Sequence, residues 1–385
     1  MAAFFKSRRF VLLVVLFSAL LLSGAALRGP TNSHLRAMSV LLKFSDPQAQ
    51  GFGVQFAQHP IREEAGVAQT AWGPLKYRLY IPTDISHPGG IVVVPGVHHL
   101  GIEHPGAISF GRAIAGAGVE VMTAEIHDLT DYRITPQSAD LIGTAAVLLS
   151  GQIKQPRVGI LGLSFAGGLA LMAAAKPEYS DKIAFVFAIG AHDDLSRVAR
   201  FFATNTVEKP DGTVVAADAH EYGAFVLVNS HLEDFFPAND IPAARDTMRF
   251  YLWEQPEDAA AASRKLSPAG QAMFDQLVHH RDQLQQKLLD GIKLHHEEME
   301  AVSPHGHIEN LTVPVFLLHG SGDNVIPPAE TMWLSRDLPT PELKAALISQ
   351  ALIHVKMEDT VTLGDKWALV DFLSKVLDGV DRFGT

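Results

Sequence analysis

The chain has 385 residues and a formal charge of −11 at neutral pH, with its 18 histidines counted as neutral. That acidic balance speaks against nucleic acid or an anionic membrane surface as a partner. The 47% hydrophobic content, although inflated by the N-terminus, allows a sizeable core, and the length is large for one domain. No Gly-rich phosphate loop, zinc-ligand spacing, sustained heptad or internal repeat is apparent in the sequence.

The first predicted element is an apolar leader. Lys6, Arg8 and Arg9 precede an apolar run from Phe10 to Leu22 broken only by Ser18, and Ser23-Gly24-Ala25-Ala26-Leu27 follows. A basic start, an apolar middle and small residues before a cut after Ala25 describe a secretory signal. Counted through Leu27, the same stretch is just long enough for a membrane span. Both readings stay open, a cleaved signal or an uncleaved anchor through residues 10–27. Under either one, the basic end stays in the cytoplasm and the rest of the chain is exported. The absence of cysteine fits an exported domain whose core is large enough to do without disulfides.

Thr31 to Phe44 reads as a short helix linking the leader to the domain. Lys76 to Tyr80 alternates like a half-exposed strand before Pro82, suited to the antiparallel start of a sheet. Ile91 to Val94 is a β-branched run of the kind buried parallel strands use. It opens into Pro95-Gly96-Val97-His98-His99-Leu100-Gly101, and His104 adds a third histidine to this loop. A helix over Ala107 to Ala115, a strand over Val119 to Thr123 and a helix over Ser138 to Ser150 follow. This alternation of strand and helix is the doubly wound pattern.

Residues 158 to 168, Val-Gly-Ile-Leu-Gly-Leu-Ser-Phe-Ala-Gly-Gly, carry the most chemistry. An apolar strand ends in Gly162-Leu163-Ser164-Phe165-Ala166 and passes into a helix-forming stretch, Leu169 to Ala175. A serine on so tight a strand-to-helix turn is a nucleophile elbow, in which small residues two places before and after it let the backbone turn and leave Oγ open. Gly162 fills the first place. Ala166 stands in the second, a mild departure from glycine, backed by Gly167 and Gly168.

Ile183 to Ile189 is another apolar strand, followed by Asp193 and Asp194. The alternation then lapses between about Leu195 and Asn310. There Ser267-Pro268 opens a helix-forming run reaching toward Glu300, with Phe274, Leu277, Leu284, Leu288 and Ile292 on one apolar stripe. The pairs His279-His280 and His295-His296 invite a metal reading. Adjacent helical residues point about 100° apart, so neither pair chelates by itself, and no metal or other cofactor is expected.

Beyond this insertion, Val313 to Gly320 is a buried-strand pattern continuing as Ser321-Gly322-Asp323, which sets Asp323 in a turn past the strand's carboxyl end. Glu330 to Leu338 reads as a helix. The apolar run from Leu343 to Ile353 ends at His354, and Asp365 to Val380 reads as the closing helix. Open α/β sheets build their sites at the carboxyl edge of the strands. A serine nucleophile needs a base and an orienting acid, here in the order Ser…Asp…His.

The elbow, the segment Val-Pro-Val-Phe-Leu-Leu-His-Gly-x-x-Asp and the late histidine together resemble the α/β-hydrolase superfamily, over about residues 74 to 195 and 309 to 380. The resemblance implies Ser164 as nucleophile, Asp323 as acid and His354 as base, with Asp193 and Asp194 as fallback acids and His319 as a structural residue. Family members often carry His-Gly where this chain has Pro95-Gly96. By the same resemblance the oxyanion would be bound by the backbone N–H groups of Val97 and of Phe165.

The fold expected is therefore α/β, a doubly wound and mostly parallel sheet with a helical cap insertion and an N-terminal hydrophobic leader. Its parts would be a signal or anchor (1–27), a linker or extension (28–73), the first part of the core (74–195), the cap (196–310) and the second part of the core (311–385). The function expected is an exported serine hydrolase acting on a small-molecule carboxylic ester or similar acyl substrate. An acyltransferase using the same triad and a catalytically silent binding domain are the alternatives. Naming an ester rests on family analogy, because this fold hosts many activities.

Overall fold

The computed structural model describes residues 28–50, 54, 57–353, 356–357 and 362–383. The leader at 10–27 and His354 lie outside the described residues. Among the described residues no helix is long and apolar enough to cross a membrane.

An eight-stranded sheet organises the fold. Its strands are β1 (Ile61–Thr70), β2 (Gly73–Pro82), β3 (Gly90–Val94), β4 (Glu120–Ala124), β5 (Val158–Leu163), β6 (Ile183–Ile189), β9 (Val315–Gly320) and β10 (Leu343–Ser349), in the spatial order β1-β2-β4-β3-β5-β6-β9-β10. β1 and β2 form an antiparallel hairpin, β2 runs antiparallel to β4, and all other neighbours are parallel. A short ribbon, β7 (Thr206–Glu208) with β8 (Val214–Ala216), stands apart from the sheet.

Every residue of β3, β6 and β9 is buried. Such strands are apolar on both faces because helices cover both faces. The period of two divides their side chains between two cores. Val92 and Val94 of β3 face one core, while Ile91 and Val93 face the other; Leu317 and Phe316 of β9 divide the same way. The first core is packed by α3 (Pro136–Ile153) and α4 (Phe165–Ala175) and runs on into the insertion. The second is packed by α1 (Arg28–Ser45), α2 (Pro105–Gly116) and α12 (Leu363–Phe383).

The N-terminal helix is longer than the sequence suggests and is more than a linker. Arg36 donates to the carbonyl of Ala117 at 2.7 Å and pairs with Asp381 at 2.6 Å, fastening α1 to the core and to α12. The expected boundary at residue 73 is corrected likewise. The sheet begins at Ile61, and residue 73 lies inside the β1–β2 hairpin. β1 escapes the sequence reading because, as an edge strand, it carries Arg62, Glu63 and Glu64 and buries no residue fully.

Between β6 and β9 the insertion folds mainly as helices: α5 (Leu195–Thr204), α6 (Tyr222–Ser230), α7 (Ile241–Leu252), α8 (Pro256–Ser263), α9 (Pro268–His279) and α10 (Gln285–Leu294). The run expected to reach Glu300 is not continuous. His280 leaves helical geometry, a short tight turn spans Arg281–Leu284, and the chain breaks again at His295. Through these breaks Leu277, Leu284, Leu288 and Ile292 all remain buried in the first core, and Phe274 is half-buried against it. After β9 the chain forms α11 (Ala329–Asp337), returns through β10 and closes with α12.

Candidate active site

After β3 the chain crosses to β4 on one side, and β5 then lies on the other, so the loops leaving β3 and β5 part company at the carboxyl edge. Crevices at such a switch of direction are where open α/β sheets bind ligands. The loop from β3 carries Gly96 and Val97. The turn from β5 carries Ser164.

Ser164 sits between β5 and α4 at φ 57° and ψ −132°. Side chains other than glycine rarely adopt this backbone, which costs of order 1–3 kcal/mol where it persists. The surroundings enforce it. A Cβ placed on Gly162 would lie 2.4 Å from the carbonyl oxygen of Ala166, so only glycine lets strand and helix approach this closely. One on Gly167 would meet Ala191 Cβ at 2.8 Å. Ala166, the departure from the usual small-residue pattern, is fully buried. The Ser164 N–H donates to Ile189 O at 2.7 Å and its carbonyl accepts from Gly167 N at 2.9 Å, which locks the turn from both sides.

Phe165 is the first residue of α4, so its N–H is among the helix-start donors that have no partner within the helix. Gly96 lies opposite: a Cβ there would be 3.1 Å from Ser164 Cβ and 3.8 Å from Ser164 Oγ. The structure thus brings both loops named as oxyanion donors, at Val97 and Phe165, to the two sides of Ser164.

Asp323 follows β9, two strands along from β5 in the order β5-β6-β9. Neighbouring strands are about 4.8 Å apart, so the strand ends carrying Ser164 and Asp323 are separated by roughly 10 Å. One carboxylate oxygen of Asp323 accepts from Val325 N at 2.9 Å and Ile326 N at 3.0 Å. The other lies 3.4 Å from His319 Nε2. His319 itself is fully buried, with Nδ1 2.7 Å from the Thr331 hydroxyl and Nε2 2.8 Å from Ile326 O. Both its nitrogens are taken up in holding the turn that presents Asp323.

The fallback acids are committed elsewhere. Glu330 of α11 accepts from the N–H groups of Asp193 and Asp194 at 2.8 and 3.0 Å, and from Arg197 Nε at 2.6 Å. Arg197 also donates to Asp193 Oδ2 at 2.8 Å and stacks on Trp333, 4.2 Å from the ring centre. Asp194 caps α5 by accepting from Arg197 N at 3.1 Å. Burial and the nearby Glu330 push the Asp193 carboxyl up to about 7. This buried network bolts the first helix of the insertion to the helix that follows Asp323.

The histidines of the β3 loop form a stack. The rings of His98 and His99 are 4.5 Å apart, and His99 stacks at 5.1 Å on Trp253 from the insertion. His98 accepts from Leu100 N at 3.1 Å and His104 caps α2 by accepting from Gly106 N at 3.0 Å. Burial, with His104 and His99 nearby, pushes His98 down to about 4, so it is neutral at physiological pH.

The insertion reaches the loops after β3 and β9 at the carboxyl edge of the sheet, through residues that the sequence did not single out. His220 N donates to Asn324 O at 2.8 Å, beside Asp323. The Tyr222 hydroxyl donates to Val97 O at 3.3 Å. The Tyr132 hydroxyl donates to Leu252 O at 2.8 Å and accepts from His99 N at 3.4 Å. No local pattern announces these contacts, since Tyr222 and Val97 are 125 positions apart.

Among the described residues, two histidine–carboxylate groups bring potential metal ligands together, His231/Asp234/His295 and Asp193/His305/Asp337. In the first, the imidazoles are stacked 3.5 Å apart at an interplanar angle of 12°. His295 Nε2 already lies 2.6 Å from Asp234 Oδ2. In the second, the Arg197 guanidinium already supplies the cation beside Asp193.

A family model described as alpha/beta hydrolase fold matches residues 151–352, over half of the chain. The chain belongs to this family. Membership carries the general class, a hydrolase enzyme, without naming the bond or the substrate. No curated protein sequence matches the chain. Among solved structures, a hydrolase-class protein of Legionella pneumophila subsp. pneumophila shares 12% identity over 91% of this chain and 96% of its own, with a TM-score of 0.55. An esterase of the archaeon Pyrobaculum calidifontis shares 15% identity over 90% and 88%, with a TM-score of 0.45. Likeness at such identities is one of fold.

Proposed function

We propose that this alpha/beta hydrolase is a serine hydrolase that cleaves a carboxylic ester or similar acyl substrate through an acyl-enzyme. One observation carries the reading: Ser164 stands in left-handed backbone at the carboxyl end of a central strand, with the Gly96–Val97 loop against it. A strained backbone of this kind is kept where function needs it.

In this mechanism Ser164 Oγ attacks the substrate carbonyl while His354 takes its proton. The Val97 and Phe165 N–H groups bind the negative oxygen that develops, each worth about 3 kcal/mol of transition-state stabilisation. His354 then returns the proton to the departing alcohol, which leaves Ser164 acylated. Water, deprotonated by the same imidazole, attacks the acyl ester; the bond to Ser164 Oγ then breaks, the imidazolium gives its proton to Oγ, and the acid departs. Asp323 holds the imidazole in the tautomer that accepts from serine. His354 enters by chain order and by its place after the β10 segment; its side chain is outside the described residues.

The insertion, as a cap over this site, sets which acyl group is accepted. Export rests on the sequence of residues 6–27, and a retained leader would tether the catalytic domain to the membrane outside the cytoplasm. The deciding experiment is labelling with a fluorophosphonate followed by peptide mapping. The label is expected on Ser164. A label on another serine, or none on active protein, removes the proposal.

A further inference from the structure

The loop that offers the Val97 N–H makes its own turn contacts from His98 onward, where His98 O accepts from Gly101 N at 2.9 Å and His98 Nδ1 from Leu100 N at 3.1 Å. It leaves β3 through Pro95 and Gly96, and glycine places little restraint on its own backbone. No side chain can replace Gly96 without meeting Ser164, since a Cβ there falls 3.1 Å from Ser164 Cβ. An oxyanion donor is effective only when it is already aimed at the place where charge will develop. Those turn contacts begin one residue after Val97, so contacts from outside the loop add to the restraint on the Gly96–Val97 stretch.

Two tyrosines supply such contacts. Tyr222, at the start of the insertion's helix α6, donates its hydroxyl to the carbonyl of Val97 at 3.3 Å. Tyr132, buried and at φ 59°, accepts from the N–H of His99 at 3.4 Å and is itself tied to Leu252 O of the insertion at 2.8 Å. The two rings lie 6.0 Å apart, centre to centre. One hydroxyl holds the peptide just after Val97 and the other holds the next residue but one, so both act on the same short stretch of backbone. Left-handed backbone at a buried tyrosine is an unusual conformation, and its persistence points to a role for the side chain it places.

We propose that Tyr222 is a positioning residue for the oxyanion-binding loop, holding the Val97 peptide from the insertion so that the cap governs the rate of the chemical step as well as substrate choice. This rests on the serine-hydrolase reading above. Tyr222 acts through Val97 and Tyr132 acts on the same loop through His99. Opening of the cap at His220–Tyr222 would release the loop, and the site would then lose oxyanion stabilisation while the cap is off.

The test uses full-length protein and a fluorophosphonate, whose phosphoryl oxygen occupies the oxyanion site during attack by serine. The maximal inactivation rate and the half-saturating probe concentration are measured for wild type, Tyr222→Phe, Tyr132→Phe and the double variant, together with Tm. Loss of one buried hydrogen bond has a modest net cost, so Tyr222→Phe is expected to lower the maximal rate about fivefold. The half-saturating concentration should stay within about twofold and Tm nearly unchanged. Because both tyrosines hold one loop, the double variant should lose less than the product of the single losses. An unchanged maximal rate, an effect confined to half-saturation, a Tm that falls in step with the rate, or fully multiplicative losses would each overturn the proposal. Ser164→Ala run in parallel separates the two readings. If that variant still reacts, the serine-hydrolase assignment has failed; if it is inert while Tyr222→Phe matches wild type, only the role of Tyr222 has failed.

Discussion

Gly96 and Ser164 are packed so closely that the first carbon of any side chain at residue 96 would lie 3.1 Å from Ser164 Cβ. The Gly96–Val97 loop and the Ser164 turn are thereby one packed unit, although they leave different strands. Such a contact is tighter than ordinary van der Waals approach, and one of the two backbones has to yield by a few tenths of an ångström to admit a methyl group.

Gly96→Ala is accordingly expected to fold, with Tm within a few degrees of wild type, and to react with a fluorophosphonate about tenfold more slowly. A misaimed oxyanion donor costs at most what its complete loss would, about 10²–10³ in rate. Gly96→Val, with two further carbons against Ser164, should abolish labelling. Wild-type labelling of Gly96→Val would show that this loop does not serve the oxyanion.

The backbone at Ser164 gives a second, opposite pair of effects. Ser164→Ala and Ser164→Gly both remove Oγ and should both abolish turnover and labelling. Only glycine also relieves the left-handed backbone at φ 57°. Ser164→Gly is therefore expected to be more stable than Ser164→Ala by roughly 1 kcal/mol, read from denaturant unfolding. Equal stabilities would mean that the turn carries no strain.

How much of this could be read from the amino acids follows from where the information sits. β3, β5, β6 and β9 are legible because strands buried on both faces are nearly continuous apolar runs, and Ser164 is legible because the glycines around it report close backbone approach. The edge strand β1 is not, since Arg62, Glu63, Glu64 and Gln69 keep its polarity high. The holds of Tyr222 on Val97 and Tyr132 on His99 join residues 125 and 33 positions apart. Contacts at such separations leave no periodicity to detect, and they depend on how the insertion folds back over the sheet edge.

Asp323 and Asp193 should part company in kinetics. Asp323→Asn should lower kcat by about 10⁴, as loss of the acid does in comparable triads, while Asp193→Asn should leave kcat within a few fold. Asp193 is held by Arg197 at 2.8 Å, and its backbone by Glu330, so its loss is a matter of stability. The reverse pattern, with Asp323→Asn near neutral and Asp193→Asn crippling, would move the acid to the end of β6.

Asp193 also predicts a pH dependence. Burial, reinforced by Glu330, raises its carboxyl from 3.8 to about 7 against the opposing pull of Arg197. The folded protein holds this proton where the unfolded chain would already have released it. The stability so contributed is complete below about pH 4 and is lost as pH rises through about 7. Asp193→Asn stays neutral throughout and lacks this slope, so its Tm relative to wild type should climb from pH 5 to pH 8. His305 and Asp337, which face the same carboxylate, are present in both proteins and largely cancel. A difference independent of pH would show that Asp193 is already ionised when buried.

The last expectation concerns substrate choice. The apolar stripe of the insertion, with Leu277, Leu284, Leu288 and Ile292, is buried in its own packing and is not the surface a substrate would meet. Among the described residues, Tyr222 and Trp253 are side chains of the insertion that reach the loop after β3, the latter stacked on His99 at 5.1 Å. Tyr222 grips the backbone of the loop, whereas Trp253 covers a side chain beside it, with the Arg249 guanidinium 5.9 Å from its ring centre. Lids above a fixed catalytic centre are where specificity varies. Trp253→Ala should therefore shift the preference among p-nitrophenyl esters of increasing acyl length, raising KM several fold for the favoured length with kcat within about threefold, because a contact made equally in ground and transition states changes binding and not the chemical step. An unchanged length profile, or a loss confined to kcat at every length, would remove Trp253 from the acyl pocket and leave it as a support for the β3 loop alone.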